Sequence, residues 1–336
     1  MWRFRVTAAL LIAVCAQAWT ATISVDSNTA VVLGRQPEIS SRLFGITAFE
    51  GFPWVVGNPD YRARIQALRA GVFRFGGAMS WFAPEQYDPA WYDTPEAARQ
   101  FQQTLLHGAR YPYGRFLPVV REMSAESMVS LGNPPPYLAL GDSGNPTDFD
   151  QWAAMCAGYV GLWRRFDPGL RLVQVWNEPN ATWFRDPRVK PGFSEAALHI
   201  EMANKVSQAI KARFPDVQVG GPVLCWPPSW PASQTGMKPW YTWDLWTLPW
   251  LKGTRETVDF FDFHVYNVSP DDLQVQCEMV AAAARAIQGR DLPLWTTESN
   301  YELSAEDRAD PAMVWAKRVL PYERLLLHGM PRRPTR

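Results

Sequence analysis

The stretch Leu172-Val-Gln-Val-Trp-Asn-Glu-Pro-Asn180 drives a short apolar run straight into a carboxylate, and proline follows at once. A run this short, apolar and β-branched is the pattern of a strand buried on both faces, and Pro179 ends the ladder because it has no N–H to donate. Glu178 is therefore expected at the mouth of a buried parallel strand. Leu292-Pro-Leu-Trp-Thr-Thr-Glu-Ser-Asn300 repeats the design and delivers Glu298 in the same way.

Five further runs share the pattern, at Leu43–Ile46, Val72–Phe75, Ser127–Leu131, Val217–Gly220 and Val258–Val265. Amphipathic helices are expected between them. Ala203, Val206, Ile210 and Phe214 fall at helical spacing before Pro215, and Leu273, Cys277, Val280, Ala284 and Ile287 do so before Gly289. Buried runs alternating with such helices make an α/β chain of parallel βα units, and a count close to eight favours a (β/α)8 TIM barrel over residues 43–336. A dinucleotide-binding sheet is excluded, since no Gly-x-Gly-x-x-Gly follows the first strand. Trp226–Trp250, dense in Trp, Pro and Ser, reads as a long structured loop.

Both ends of the chain stand apart from this alternation. Residues 1–21 carry Arg3 and Arg5, the apolar run Ala8–Ala16 and then small residues, the layout of a secretory signal peptide, so a secreted or periplasmic location is expected, with no membrane anchor after cleavage. Residues 22–42 are expected to form an N-terminal β-hairpin around Asp26-Ser27-Asn28, or a side-sheet strand. Beyond the seventh run, Ala312–Leu327 reads as a helix kinked at Pro321. Gly329–Arg336, with Pro331 and Pro334 among arginines, cannot be a buried strand. The eighth strand is thus doubtful or missing, as in a longer enzyme that has lost its tail.

Composition narrows the function. The 336 residues balance 33 basic against 33 acidic side chains, which removes the surplus of clustered cations that nucleic-acid binding needs. Seventeen Trp, eleven Tyr and seventeen Phe exceed the needs of a core, and flat rings of this kind are common where sugars stack. Cys156, Cys225 and Cys277 remain after signal removal, an odd number that permits at most one bridge, and Cys225–Cys277 is the pair to consider. No Cys-x-x-Cys and no histidine pair at helical spacing supports a metal site. No metal and no cofactor is expected.

Chemistry in a βα barrel sits where strands run into loops. A lone strand-end glutamate is most often a hydrogen-bonding loop group. Two of them, on the fourth and seventh strands of one small barrel, can instead meet across the mouth at about 5 Å, the separation at which one attacks an anomeric carbon while the other protonates the leaving oxygen. The acid must rest protonated in a drier site, and the nucleophile needs donors around it.

Trp176-Asn177-Glu178-Pro179 together with Thr297-Glu298-Ser299 resembles the clan A glycoside hydrolases, of the family 39 type or a neighbouring one. The resemblance runs through most of the mature chain and takes in Phe73-Arg-Phe-Gly-Gly77 and Phe261-Asp-Phe-His-Val-Tyr266. It implies a retaining (β/α)8 hydrolase of β-linked glycosides or polysaccharides, with Glu178 as acid/base and Glu298 as nucleophile. Asn177 would donate to the sugar 2-hydroxyl, Tyr266 and Arg74 would hold Glu298 ionised, and His264 would line the mouth. Arg74 could equally be a structural ion-pair residue, and His264 a buried loop partner. Trp81, Trp183, Trp226 and Asn133 follow strands two to five and are the expected sugar-binding groups. An inactive carbohydrate-binding remnant of such an enzyme is the alternative.

Overall fold

In a computed structural model of the chain the described residues are 45–48, 58–68, 70–76, 79, 82–107, 113–141, 144–183, 195–225, 242–266, 268 and 270–300. The expected signal peptide, the expected hairpin and everything after residue 300 lie outside them. Seven parallel strands pair in chain order: β1 (Gly45–Ala48), β2 (Val72–Phe75), β3 (Glu126–Leu131), β4 (Leu172–Val175), β5 (Gln218–Leu224), β6 (Phe260–Tyr266) and β7 (Leu294–Asn300). Cα atoms of β1 and β7 come within 8 Å of each other, so the sheet curls round on itself. Helix α1 (Pro59–Leu68) follows β1, and α2 (Pro95–His107) with α3 (Leu117–Glu122) follows β2. Helices α4 (Phe149–Phe166), α5 (Glu195–Arg213), α6 (Leu248–Gly253) and α7 (Pro270–Gln288) follow β3 to β6 in turn. Among the described residues the alternation read from the sequence is part of a (β/α)8 barrel, and each of its seven expected strands is present.

Local chemistry fixes the helices. Asp148 caps α4 by accepting from the Asp150 and Gln151 N–H groups, at 2.9 and 3.0 Å, while Arg164 and Arg165 complement the dipole at the other end. Gly289 closes α7 with left-handed backbone at φ 72°. Two local readings differ from the structure. The described part of the expected loop Trp226–Trp250 is helical, because Trp246, Trp250 and Leu251 fall on one side of successive turns and are buried together. A two-stranded antiparallel pair, Ala139–Leu140 with Asn145–Pro146, was not anticipated, and its turn uses left-handed Gly141 and Gly144. Cys156, Cys225 and Cys277 are all free thiols.

Because side chains alternate along a strand, each barrel strand serves two layers. Phe73, Phe75, Val129, Leu131, Val173, Val175, Phe261 and Phe263 face outward into the large core beneath the helices. Val72, Met128, Leu172 and Phe260 face inward and, with Trp295, close the barrel floor as a separate apolar cluster. Gly220 on β5 makes room for that floor, since a Cβ there would stand 2.3 Å from Phe260 Cδ2. Two residues above the floor, the same inner face turns polar with Arg74, Ser130, Gln174 and Asp262, all buried. The floor therefore seals the base of the polar layer from below.

This packing predicts that Gly220→Ala destabilises the fold by about 1–3 kcal/mol through overpacking. Phe260→Ala should cost about 3–5 kcal/mol through the cavity it leaves. The double variant should lose less than the sum, as read by denaturant unfolding, because the methyl added at position 220 then enters the space vacated by the ring.

Candidate active site

The polar layer is organised by one guanidinium. Arg74, on the inner face of β2 and 4% exposed, donates from Nε to Gln174 Oε1 at 2.6 Å, from Nη1 to Glu298 Oε1 at 2.5 Å and from Nη2 to Asn177 Oδ1 at 2.6 Å. Those acceptors stand on β4, β7 and the turn after β4, so a single planar fork ties three segments of the barrel mouth. Tyr266 donates its hydroxyl to the other oxygen of Glu298 at 2.6 Å. Both oxygens of that carboxylate are therefore engaged, one by a cation and one by a phenol.

Period two on β6 stacks Asp262, His264 and Tyr266 above Phe260 on the inner face. His264 Nδ1 lies 2.7 Å from Glu178 Oε1 and 3.5 Å from Glu298 Oε2. One oxygen of each glutamate and a ring nitrogen of His264 all lie within 4.8 Å of one another. Glu178 reaches this position through a sharp turn, with left-handed backbone at Trp176 (φ 73°) and Glu178 (φ 48°). Three bonds hold it: Trp176 N–H to Leu131 O at 2.6 Å, Glu178 N–H to Val223 O at 2.8 Å, and Cys225 N–H to Asn180 Oδ1 at 2.7 Å. Val223 is itself left-handed (φ 59°), at an irregularity in the β5–β6 register. The turn carrying Glu178 and the end of β5 are thus stapled together.

Two strand-end glutamates facing each other over a βα barrel, with Asn before the first and an Arg–Tyr clamp on the second, is a specific arrangement, and known proteins share its frame. No family model matches the chain. The β-xylosidase of Geobacillus stearothermophilus is 24% identical over 242 residues, covering 61% of this chain and 44% of that protein. A GH39 β-xylosidase from Caulobacter crescentus superposes with a TM-score of 0.52 at 18% identity, covering 82% of this chain and 58% of that one. BuGH86, solved with neoagarooctaose, gives 0.55 at 16% identity over 80% of this chain and 46% of its own. The chain has the fold of the clan A glycoside hydrolases. It spans less than two thirds of each of these relatives.

Within this barrel the structure gathers six of the expected residues, Arg74, Asn177, Glu178, His264, Tyr266 and Glu298, into one cluster. Asn133 lies exposed just beyond β3 with left-handed backbone at φ 55°. Trp81 and Trp226 lie outside the described residues, and the backbone of Trp183 belongs to the turn Pro179–Trp183 that follows Glu178. Gln174, Asp262, Thr297 and Cys225 join the cluster without having been expected as site residues. Period two along Phe261-Asp-Phe-His-Val-Tyr266 is the signal that places Asp262 on the face of His264 and Tyr266.

Burial sets most of the ionisation. It pushes the His264 imidazole down, against the opposing Glu178 bond and with Arg74 adding to the effect, which favours the neutral ring. Nε2 of that ring is buried without a hydrogen-bond partner among the described residues, which favours the tautomer with its proton on Nδ1, donated to Glu178. Burial raises the Glu178 carboxyl, but the His264 bond, the Cys225 thiol and the Arg74 charge outweigh it and hold the group below the usual carboxylate range. An acid resting protonated, as the sequence led us to expect, is not what the substrate-free geometry gives, because donors rather than dry surfaces face this carboxylate. Burial first, and then the Glu298 bond, push the Tyr266 phenol far up, so it remains a donor. Among the described residues Glu178, His264 and Glu298 are the group able to share a cation, yet Arg74 already places a fixed positive charge 2.5 Å from Glu298.

Asp262 is fully buried and accepts from Thr297 Oγ1 at 3.0 Å and from Gln174 Nε2, yet burial still pushes it from 3.8 up to about 7. A carboxyl raised on folding favours the native state most fully below its unfolded value and loses that contribution as pH rises through the folded one. The unfolding free energy of the parent, measured against Asp262→Asn, should therefore fall between pH 4 and 7, by an amount on the order of a few kcal/mol. A difference between the two proteins that stays flat with pH, in denaturant titrations across that window, would contradict the assignment.

Proposed function

We propose that this chain is the catalytic barrel of a secreted, retaining glycoside hydrolase that cleaves β-linked glycosides by double displacement. One observation carries the reading: a Glu178 oxygen within 4.8 Å of a Glu298 oxygen whose carboxylate is held by Arg74 and Tyr266. Close carboxyl groups of this kind suit direct attack by one of them, whereas an inverting pair needs a wider gap of about 6.5–9.5 Å for a water.

Glu298 attacks the anomeric carbon as the glycosidic bond breaks, and Glu178 gives its proton to the departing oxygen. The glycosyl ester on Glu298 is then cleaved by a water whose proton returns to Glu178. Glu178 must take up a proton before the first step. A bound sugar favours this by expelling water from around the carboxyl and presenting the glycosidic oxygen as an acceptor. Arg74 occupies Asn177 Oδ1, which leaves the Nδ2 donor for the 2-hydroxyl, where a bond strengthens as positive charge develops on the ring. Trp81, Trp183, Trp226 and Asn133 are proposed as the sugar-contacting groups around this centre. Secretion rests on the signal-like residues 1–21. Because the curated relative is a β-xylosidase, aryl β-xylosides are the first substrates to try.

Removing the nucleophile in Glu298→Ala should lower turnover of every aryl glycoside by about 10⁴-fold or more, with azide restoring it as the glycosyl azide of inverted configuration. Glu178→Ala should instead lose activity in proportion to leaving-group basicity, sparing dinitrophenyl glycosides in the first step. Equal losses across leaving groups, with no azide rescue of either variant, would exclude the two roles. Glycan binding by the parent without any turnover would instead favour the carbohydrate-binding remnant.

A further inference from the structure

Beneath the two glutamates lies a buried group that the proposed chemistry does not use. Asp262 has no exposed surface and makes no contact that would bring it to a sugar. Holding a carboxyl in a dry barrel is costly, and an apolar residue of similar shape would fill the space more cheaply. Its bonds show what it does there. The Gln174 side chain lies between Asp262 and Arg74, and an amide has one donating end and one accepting end. The Asp262 carboxylate and Thr297 Oγ1 receive the Gln174 Nε2 donor, the latter at 3.0 Å. This fixes the orientation of the amide, and only then does Oε1 face Arg74, accepting from Nε at 2.6 Å.

The guanidinium is planar, so fixing Nε fixes both terminal nitrogens. With Nε tied to Gln174, Nη1 meets Glu298 at 2.5 Å and Nη2 meets Asn177 at 2.6 Å. We propose that Asp262, acting through Gln174, is a positioning residue that sets the aim of Arg74 and so the placement of both the Glu298 carboxylate and the Asn177 amide. The chain of bonds is Asp262 to Gln174 to Arg74, and then out to the two groups that would touch the sugar. The catalytic part of this proposal rests on the roles given above to Glu298 and Asn177; the structural part does not.

Three variants of the full chain test it: Asp262→Ala removes the acceptor, Gln174→Leu removes the relay at similar volume, and Asp262→Asn keeps an acceptor while removing the charge. For an aryl β-glycoside, Asp262→Ala and Gln174→Leu should lower kcat by about tenfold or more with a much smaller change in KM, as expected when reacting groups shift by a fraction of an ångström. Asp262→Asn should recover most of that loss, to within about threefold of the parent. Crystal structures of the same variants give a readout independent of activity. In Asp262→Ala and Gln174→Leu, Arg74 should have left at least one of its bonds to Glu298 and Asn177, and in Asp262→Asn it should keep both. A merely structural role would lower the melting temperature while leaving kcat per folded molecule and the Arg74 contacts intact, and that result overturns the proposal. If Asp262→Ala does not fold, Gln174→Leu and Asp262→Asn decide by the same criteria. A parent chain inactive on every aryl glycoside would count against the proposed reaction alone, since the Arg74 geometry would still be read from the structures.

Discussion

The barrel mouth depends on a single buried cation. Arg74 is 4% exposed, and a guanidinium at that depth is tolerable only because each of its three nitrogens meets an acceptor. Removing any one acceptor would leave a buried donor unsatisfied, so Gln174, Asn177 and Glu298 hold one another in place through it. The arrangement also concentrates positive charge against Glu298 and away from Glu178, whose direct partners are the neutral imidazole of His264 and the thiol of Cys225. Two carboxylates a few ångströms apart thereby acquire different surroundings, which is the physical requirement for giving them different work.

The layer beneath Arg74 explains why the cation keeps its place. The apolar floor of Val72, Met128, Leu172, Phe260 and Trp295 excludes water from below, and the Gln174–Asp262–Thr297 bonds absorb the polarity immediately above it. Both layers come from the same strands, two residues apart, so alternation alone stacks a hydrophobic plug, a polar bed and a reactive surface along one face of the barrel wall. The other face of each strand belongs to the core under the helices, where Trp152, Trp163, Trp246 and Trp250 are fully buried. Among the described residues, much of the aromatic richness is spent in that outer core. The turn after β4 adds local strain, with left-handed backbone on both sides of Asn177, and its bonds to β3 and β5 are what maintain it.

The sequence by itself determined the strands, their order and the two glutamates, because a parallel strand buried on both faces leaves an unbroken apolar run, and Glu178 and Glu298 each end one. Arg74, Asn177, His264 and Tyr266 were named by the resemblance of their short motifs to the clan A hydrolases. Only the tertiary structure decided which of these touch. Nothing in the spacing of Arg74, Gln174, Asp262 and Thr297 announces a bonded network, since the four come from four separate strands and meet only when the sheet curls. The same holds for ionisation: Glu178 is held low by His264 on β6, Cys225 just past β5 and Arg74 on β2, and proximity of that kind is a property of the curled sheet that no local pattern encodes.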